Sequence, residues 1–482
     1  ERQVRILMPW PPLAQASWGI SFMEIDPMTK TLSLLVAAIA LGLSTGNSLA
    51  AVSAEQASAL KNQLTPLGAE KAGNAAGSIP AWGGGLTKAP AGYQGPGSHH
   101  ADPFAAEKPL FTISKANLAQ YQANLTAGQI ALINTYPDSF RMPVYPSHRS
   151  GAAPQWVYDN TFANATSAKL LDGGNGFSDA YGGTPFPLPQ SGVEALWNHI
   201  ARYRGTYLVR RSSEAGVQSN GNKSVVTSRD EALFNFYEPK GSYAGLNNTL
   251  FNYMAFNTAP ARLAGGGVLV HETLDQVKEP RKAWVYNAGQ RRVRRAPQVS
   301  YDGPGTAADG LRTSDNLDMY NGAPDRYDWK LEGKKEMYIA SDSYKLDDPK
   351  LKYADIIKAG HINQDLARYE LRRVWHVVAT LKDGQRHIYA KRDFYIDEDT
   401  WQAAVIDQYD GRGQLWRVSE AHSQPYYNKE VPWYTLETIY DLQSGRYLAL
   451  GMKNEEKRAY DFGFSASKAD FQPAALRQSG VR

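Results

Sequence analysis

Apolar and polar residues alternate along much of the second half of the chain, from about residue 206 onward. A period of two is typical of β-strands whose faces differ in polarity. The pattern predicts strands at 206–212, 222–228, 266–273, 282–287, 291–296, 335–340, 369–380, 386–396, 401–409, 414–422, 433–440 and 446–450. Short turns with glycine join several neighbours, at 382–384, 410–413 and 443–445. Because such turns connect hairpins, we expect an antiparallel meander.

Neither face of the predicted strands is purely polar. In 386–396, one face carries Ile388, Ala390, Phe394 and Ile396, and the other carries Tyr389, Lys391 and Tyr395. A sheet with one solvated face would show one clean polar side. We therefore expect a mainly β fold with a large, curved antiparallel sheet whose concave side is covered or holds a ligand. A sheet whose outer side packs against the N-terminal coil would give the same pattern.

The first half of the chain lacks this alternation and is predicted as helices and coil packed on the sheet. Two capping boxes, Ser53 with Gln56 and Thr126 with Gln129, predict helix starts. Helices are predicted from 53 to about 64, at 113–135 and at 193–203, and irregular, Gly- and Pro-rich stretches at 65–110 and 172–191. The predicted organisation is helix and coil at 51–205, a β domain at 206–455 and a C-terminal tail at 456–482.

A secretory signal peptide is predicted at 28–50. Lys30 gives the positive start, 32–43 is apolar, and Ser48 and Ala50 are small residues suited to cleavage. Residues 1–27 are then expected to be a non-native or mis-started extension. A retained membrane anchor at 32–43 is the alternative, although the small residues favour cleavage.

Composition narrows the class of protein. The chain has no cysteine, which excludes disulfides, thiol catalysis and Cys-based metal sites. A net charge of +4 is not typical of a nucleic-acid-binding protein, and we expect no nucleic-acid partner. Tyrosine is abundant, at 28 residues against 15 Phe and 11 Trp. Many rings should therefore lie where a hydroxyl meets a partner or water.

Known catalytic motifs are absent from the sequence. There is no Gly-x-Ser-x-Gly elbow, His-Glu-x-x-His, P-loop or EF-hand pattern. His99 and His100 with Asp102 are most simply a solvated loop rather than a metal site. His376, His387 and His422 lie on separate predicted strands and are most simply separate sheet histidines, although they would be a joint site if they converged. We expect no catalytic residue, no metal site and no cofactor.

Two sets of residues are candidates for binding. The arginines of the strand at 291–296 predict docking to an anion or an acidic partner, or else protection of a sheet edge; they are Arg291, Arg292, Arg294 and Arg295. Aromatic residues of the strands predict a cavity lining for an apolar or amphipathic ligand, or else a core. They are Trp284, Tyr286, Trp375, Tyr389, Phe394, Trp401 and Trp416.

Four groups of sequence motifs resemble a known family. They are TPLGAEKAGN at 65–74 with IPAW at 79–82; MPVYPSHR at 142–149; HETL at 271–274 with AWVYN at 283–287 and RRVRRAP at 291–297; and DQYDGRGQLWR at 407–417. Together they resemble an exported Gram-negative family of unknown function, labelled outer membrane lipoprotein-sorting protein and grouped with the LolA/LolB-type carriers. The resemblance covers essentially all of the chain after residue 50.

The resemblance implies a fold and a role. The fold is an unclosed antiparallel β half-barrel with helices at its mouth and a hydrophobic cavity. The role is that of a periplasmic, non-enzymatic carrier or adaptor for hydrophobic or lipid-like molecules. The implied partners are an outer-membrane β-barrel protein and an RND-type inner-membrane exporter, with peripheral membrane contact left open. The alternatives are a binding subunit of an envelope complex without its own cargo, and a lipid-ester hydrolase.

Overall fold

Seventeen strands form most of the regular structure in a computed structural model, which describes residues 51–296, 299–458 and 460–480. They are β1 (Phe111–Ile113), β2 (Met142–Val144), β3 (Lys169–Leu170), β4 (Phe177–Ser178), β5 (Tyr207–Val217), β6 (Lys223–Leu233), β7 (Thr249–Ala259), β8 (Gly267–Thr273), β9 (Lys282–Asn287), β10 (Arg292–Ala296), β11 (Tyr327–Ala340), β12 (Tyr369–Leu381), β13 (Lys391–Asp397), β14 (Ala403–Tyr409), β15 (Leu415–Tyr426), β16 (Val431–Asp441) and β17 (Tyr447–Met452).

The helices are short. The α-helices are Ala54–Ser58, Leu118–Tyr121, Ala127–Thr135, Gln155–Ser167, Gly192–Ile200, Tyr243–Leu246, Tyr353–Ile356 and Pro473–Gly480. The 3₁₀ turns are Ala59–Lys61, Gln122–Asn124, Asp172–Gly174, Asn235–Tyr237, Ser314–Asn316, Tyr344–Asp347, Gln364–Leu366 and Lys468–Phe471. Among the residues described, no helix is both long and apolar enough to cross a bilayer.

Fifteen strands belong to one sheet. Its order is β1-β2-β12-β13-β14-β15-β16-β17-β5-β6-β7-β8-β9-β10, and β11 also pairs with β12. All pairs are antiparallel except the single contact between β2 and β12. Within the described residues no pairing joins β10 back to the other end, so the sheet is open. The mainly β antiparallel fold predicted from the alternation is confirmed, and so is the unclosed sheet that the family resemblance implies.

Local signals account for several element boundaries. Both predicted capping boxes are confirmed: Ser53 and Thr126 each accept from the backbone N–H three residues on, and Gln56 and Gln129 bond back. All three glycine turns join antiparallel neighbours, β12 to β13, β14 to β15 and β16 to β17.

Several elements differ from the predictions. β7 was not predicted, and β13 begins at Lys391 rather than 386. β1 and β2 lie in the segment predicted as helix and coil, yet they extend the sheet. Within the predicted C-terminal tail, Phe471 and Leu476 are buried against β8 to β10. The signal peptide at 28–50 and the extension at 1–27 lie outside the described residues.

The two halves of the sheet are covered differently. Strands β12 to β16 are buried on both faces, with every residue of β16 buried. One face packs against the helices Gln155–Ser167 and Gly192–Ile200, through Val157 and Trp197. The opposite face packs against the helix Ala127–Thr135. On one face of strands β5 to β10 no helix of the described residues packs, and this face forms the cavity described next.

Candidate functional site

A cavity of about 200 Å³ lies between the sheet and the chain that follows β10. Alternate residues of β5 to β9 line it, because side chains two apart on a strand share a face. We call this side of the sheet the cavity face. It is represented by Arg210 in β5, Asp230 in β6, Tyr253 in β7, Val270 in β8 and Val285 in β9.

The other wall is the segment 299–318, here called the covering segment. Leu311 is buried against Ile439 and Leu448, which attaches the segment to β16 and β17. Arg281, the residue before β9, donates to the carbonyl oxygens of Val299 at 2.9 Å and Ser314 at 3.1 Å in this segment. The covering segment is therefore held at both ends rather than lying loosely over the strands.

One end of the cavity is charged. Arg210 Nε donates to Asp230 Oδ2 at 2.7 Å. Arg312 Nη2 lies 4.0 Å from Glu214 Oε2. Burial raises the pKa of Glu214 to about 7, against the opposing effect of the Arg312 charge.

Glu437 is a second buried carboxyl group at this end. Its Oε2 accepts from the backbone N–H of Met319 at 3.3 Å, while its buried Oε1 has no hydrogen-bond partner among the described residues. Burial raises the pKa of Glu437 to about 7. The carboxyl group therefore titrates near neutral pH and can donate or accept a hydrogen bond inside the cavity.

A smaller cavity of about 40 Å³ adjoins the first and shares Arg210, Asp230 and Tyr434 with it. Asp318, between the two, binds Arg204 and also Arg202, whose Nη2 lies 2.6 Å from Asp318 Oδ1. Burial alone would raise the pKa of Asp318, but the two arginines hold it well below its ordinary value. Asp318 is thus a permanently ionised structural group.

The other end of the cavity is apolar and lies near the sheet edge. Val268, Val270, Ala283 and Val285 line it, and Val285 is 45% exposed. The cavity is therefore amphipathic along its length, with charges toward β5 and β16 and aliphatic side chains toward β9. Such a site suits a ligand with an apolar body and at least one polar group.

Residues 112–477 match the family described as "Protein of unknown function (DUF1329)". The chain belongs to the DUF1329 family. The match confirms the family of unknown function recognised from the motifs. The "Uncharacterized protein PA3922" of Pseudomonas aeruginosa is 62% identical over 458 residues, which cover 94% of this chain and 100% of that protein.

Solved structures with similar folds were also found. A DUF1329 family protein from Desulfovibrio piger is 14% identical and covers 59% of this chain and 97% of its own, with a TM-score of 0.42. A domain described as an outer membrane lipoprotein-sorting protein, from Vibrio parahaemolyticus, gives the same identity and coverages and a TM-score of 0.41. The LolA superfamily protein NE2245 from Nitrosomonas europaea is 12% identical, covers 59% and 98%, and has a TM-score of 0.35.

The seven predicted aromatic residues of this DUF1329 chain lie outside the lining of the two cavities described. Trp375, Phe394 and Trp401 belong to the core under the helices, where Trp375 stacks on Trp401 with ring centres 6.2 Å apart. Trp284 and Tyr286 lie on the face of β9 opposite the cavity, against the C-terminal helix.

The remaining two aromatics are tied to the same arginine. Tyr389 is buried and its hydroxyl accepts from Arg417 Nη1 at 3.0 Å, and Trp416 lies against the Arg417 guanidinium. The other five aromatic residues lie where helices or the C-terminal segment cover them, whereas Arg417 donates to the carbonyl oxygens of Gly310 and Leu311 in the covering segment. A ligand-binding role for the seven stays a prediction, and the cavity is lined mainly by aliphatic and charged residues.

The predicted basic strand is at the sheet edge. β10 is the last strand of the sheet, and Arg291, Arg292, Arg294 and Arg295 are all exposed. This placement is compatible with both roles predicted for these arginines, protection of the sheet edge and docking of an anion. The acidic residues of the covering segment pair with other arginines, for example Asp318 with Arg202.

The histidines do not form a joint site in the described part of the chain. His376 pairs with Asp393, and His387 pairs with Asp315. His99 bonds to Asp347 and to the Glu456 carbonyl oxygen. Within the described residues no group of three or more His, Asp and Glu side chains is arranged to hold a metal ion.

Sequence reasoning missed the cavity residues themselves. A signal was present, because Arg210, Glu214 and Asp230 place charges at alternate positions of two adjacent strands. Charges facing inward on neighbouring strands indicate a polar interior. Without knowledge of what covers that face, however, they are indistinguishable from a solvated surface.

Proposed function

We propose that this DUF1329 chain is a periplasmic, non-enzymatic carrier or adaptor that holds a hydrophobic or amphipathic molecule in the cavity between the cavity face and the covering segment. The observation that carries the proposal is the cavity itself, about 200 Å³ bounded by strands on one side and an anchored loop on the other. A site built only for stability would be filled by side chains, as the core under the helix Gly192–Ile200 is.

The chemistry of the lining supports an amphipathic guest. Aliphatic side chains at Val268, Val270 and Val285 offer burial of apolar surface, which contributes roughly 25 cal/mol per Å². Glu437 keeps an unpartnered buried oxygen at the other end, which a ligand hydroxyl or amine would satisfy.

The cellular setting belongs to the proposal as well. The predicted signal peptide at 28–50 supports export to the periplasm. By family resemblance, the partners proposed are an outer-membrane β-barrel protein and an RND-type exporter. The chain would shield its ligand from water between the two membranes. We propose no catalytic step for it.

A dye-binding experiment tests the carrier proposal. Val270→Trp places an indole in the cavity, whereas Val277→Trp places one at a position that is 46% exposed and outside the cavity lining. The wild type and Val277→Trp should bind the neutral apolar dye N-phenyl-1-naphthylamine with enhanced fluorescence. Val270→Trp should bind it at least tenfold more weakly, at an unchanged unfolding temperature.

Equal dye binding by all three proteins would contradict the proposal, since the ligand would then lie elsewhere. Failure of the wild type to bind the dye, together with copurification of protein partners alone, would favour the alternative of an envelope-complex subunit without cargo.

A further inference from the structure

The side of the sheet on which each arginine of β10 lies is fixed by the pairing of β10 with β9. Arg294 is opposite Val285, and Arg295 is opposite Trp284. Directly opposed residues of an antiparallel pair share a face. Arg294 therefore lies on the cavity face with Val285, and Arg295 lies on the other face with Trp284, toward the C-terminal helix.

Arg292 continues the same row. It is two residues before Arg294, so it also lies on the cavity face, opposite Asn287. The row thus runs from the cavity lining at Val285 out to two exposed guanidinium groups at the open edge of the sheet. The arginines flank the apolar end of the cavity, opposite the end that holds Glu437.

Arg292 and Arg294 differ in their ion pairing from the arginines that line the cavity. Arg210 and Arg281 are paired with Asp230 and Glu272. Arg292 and Arg294 are exposed and make no ion pair with a residue that the structure describes. Edge protection alone needs charge on the edge but does not need it beside an apolar opening.

We propose that Arg292 and Arg294 bind the anionic headgroup of an amphiphile whose chain enters the cavity past Val285. This inference rests on the proposed carrier function and adds the class of ligand, a phosphate- or carboxylate-bearing lipid. Guanidinium groups are suited to this task because their planar donors match the oxygens of phosphate and carboxylate.

A comparison of two lysolipids with the same chain tests the headgroup assignment. Lysophosphatidylglycerol is anionic and lysophosphatidylcholine is zwitterionic; each displaces N-phenyl-1-naphthylamine from the protein below its micelle-forming concentration. The wild type should prefer the anionic lipid by about tenfold, the size expected of two partly exposed charge contacts. The preference should shrink as salt is added.

Matched variants separate the two faces of β10. Arg292→Gln/Arg294→Gln should abolish the preference and leave lysophosphatidylcholine binding unchanged. Arg294→Gln should lose about threefold. Arg295→Gln removes the same charge one residue away on the other face and should keep the wild-type preference. All are exposed positions, and circular dichroism confirms folding.

The outcomes are distinct. A preference lost equally in Arg294→Gln and Arg295→Gln would reflect general charge and overturn the assignment. A preference retained in the double variant would also overturn it, leaving edge protection or an acidic protein partner as the role of the arginines. A wild type that binds both lysolipids equally refutes the headgroup site alone, whereas one that binds neither refutes the carrier proposal.

Discussion

Arg149 should be among the most costly side chains to remove, because it joins two motif segments that are far apart in sequence. It is 1% exposed and pairs with Asp399 through two contacts, Nη2 to Oδ1 at 2.7 Å and Nε to Oδ2 at 3.0 Å. The same guanidinium donates to the carbonyl oxygens of Glu70 at 2.6 Å and Pro80 at 3.1 Å. It therefore fastens the irregular stretch near 70–80 to the β13–β14 turn.

The magnitude follows from what Arg149→Met leaves behind. Removing one partner of a buried ion pair costs about 3–5 kcal/mol. In the variant, Asp399 would keep its ion pair with Arg372, whose Nη2 lies 2.7 Å from Asp399 Oδ2. This remaining pair favours the lower end of that range, about 3 kcal/mol. Burial would raise the pKa of Asp399, but Arg372 and Arg149 hold it below its ordinary value. The carbonyl oxygens of Glu70 and Pro80 also lose their donor, at about 1 kcal/mol each. We expect a loss of about 5 kcal/mol.

Urea unfolding measures this loss, with Arg141→Met as the matched control. Arg141 also forms a bidentate pair, with Asp365, but the two side chains are 41% and 61% exposed. Exposed pairs contribute less than about 1 kcal/mol, so the control should be nearly neutral. If Arg149→Met cost no more than Arg141→Met, the reasoning that the buried pair holds the coil in place would be refuted.

Two further predictions concern the cavity and the coil. Glu437→Gln should match the wild type in stability below about pH 4.5 and exceed it by roughly 3 kcal/mol above pH 7. Folding raises the pKa of this buried carboxyl from 4.5 to about 7, so keeping it ionised costs about 1.4 kcal/mol for each pH unit between these two values. Urea unfolding from about pH 4 to 8 measures the difference between the two proteins, and a difference that did not change with pH would contradict the prediction. Gly68→Ala should lower the free energy of unfolding by more than about 2 kcal/mol, because φ is +100° and an added Cβ would lie 2.0 Å from the Pro187 carbonyl oxygen. Gly384→Ala, at φ +78° with open space around it, should lower it by about 1 kcal/mol. Thermal unfolding compares the two variants, and equal losses of stability would contradict the steric argument.

The alternation of residue types was sufficient to predict most of the strands. It succeeded where one face meets the core and the other is mixed, and the glycine turns fixed the hairpins. β7 was not predicted because both of its faces carry apolar residues, for example Leu250 and Phe251, so its sequence shows no period of two. β1 and β2 were not predicted because a strand of three residues is too short to show a period of two.

The candidate site was harder to predict than the fold. Aromatic residues were predicted to line the cavity because they contribute large apolar surfaces, but residues with large apolar surfaces also form most of a protein core. Trp401 illustrates this: it is fully buried, and its indole N–H donates to the Leu67 carbonyl oxygen at 2.8 Å. The cavity exists because the covering segment crosses β5 to β9, and nothing in the local sequence of 299–318 indicates where a loop will lie.

The motif segments illustrate the same limit of local reasoning. TPLGAEKAGN and MPVYPSHR look like functional signatures, since they combine glycine, proline and charge in coil. In the structure they meet one another through Arg149 and Glu70, and their residues support the fold rather than line the cavity. Long-range contacts of this kind become visible only when the chain is folded.

The native mass of the protein released from the periplasm tests the central claim most directly. We expect the wild type to carry an additional mass of a few hundred daltons or more that disappears on unfolding, and Val270→Trp to lack it while Val277→Trp retains it. A wild-type mass equal to that of the polypeptide alone, in protein that was never exposed to detergent, would contradict the account of a ligand-filled cavity.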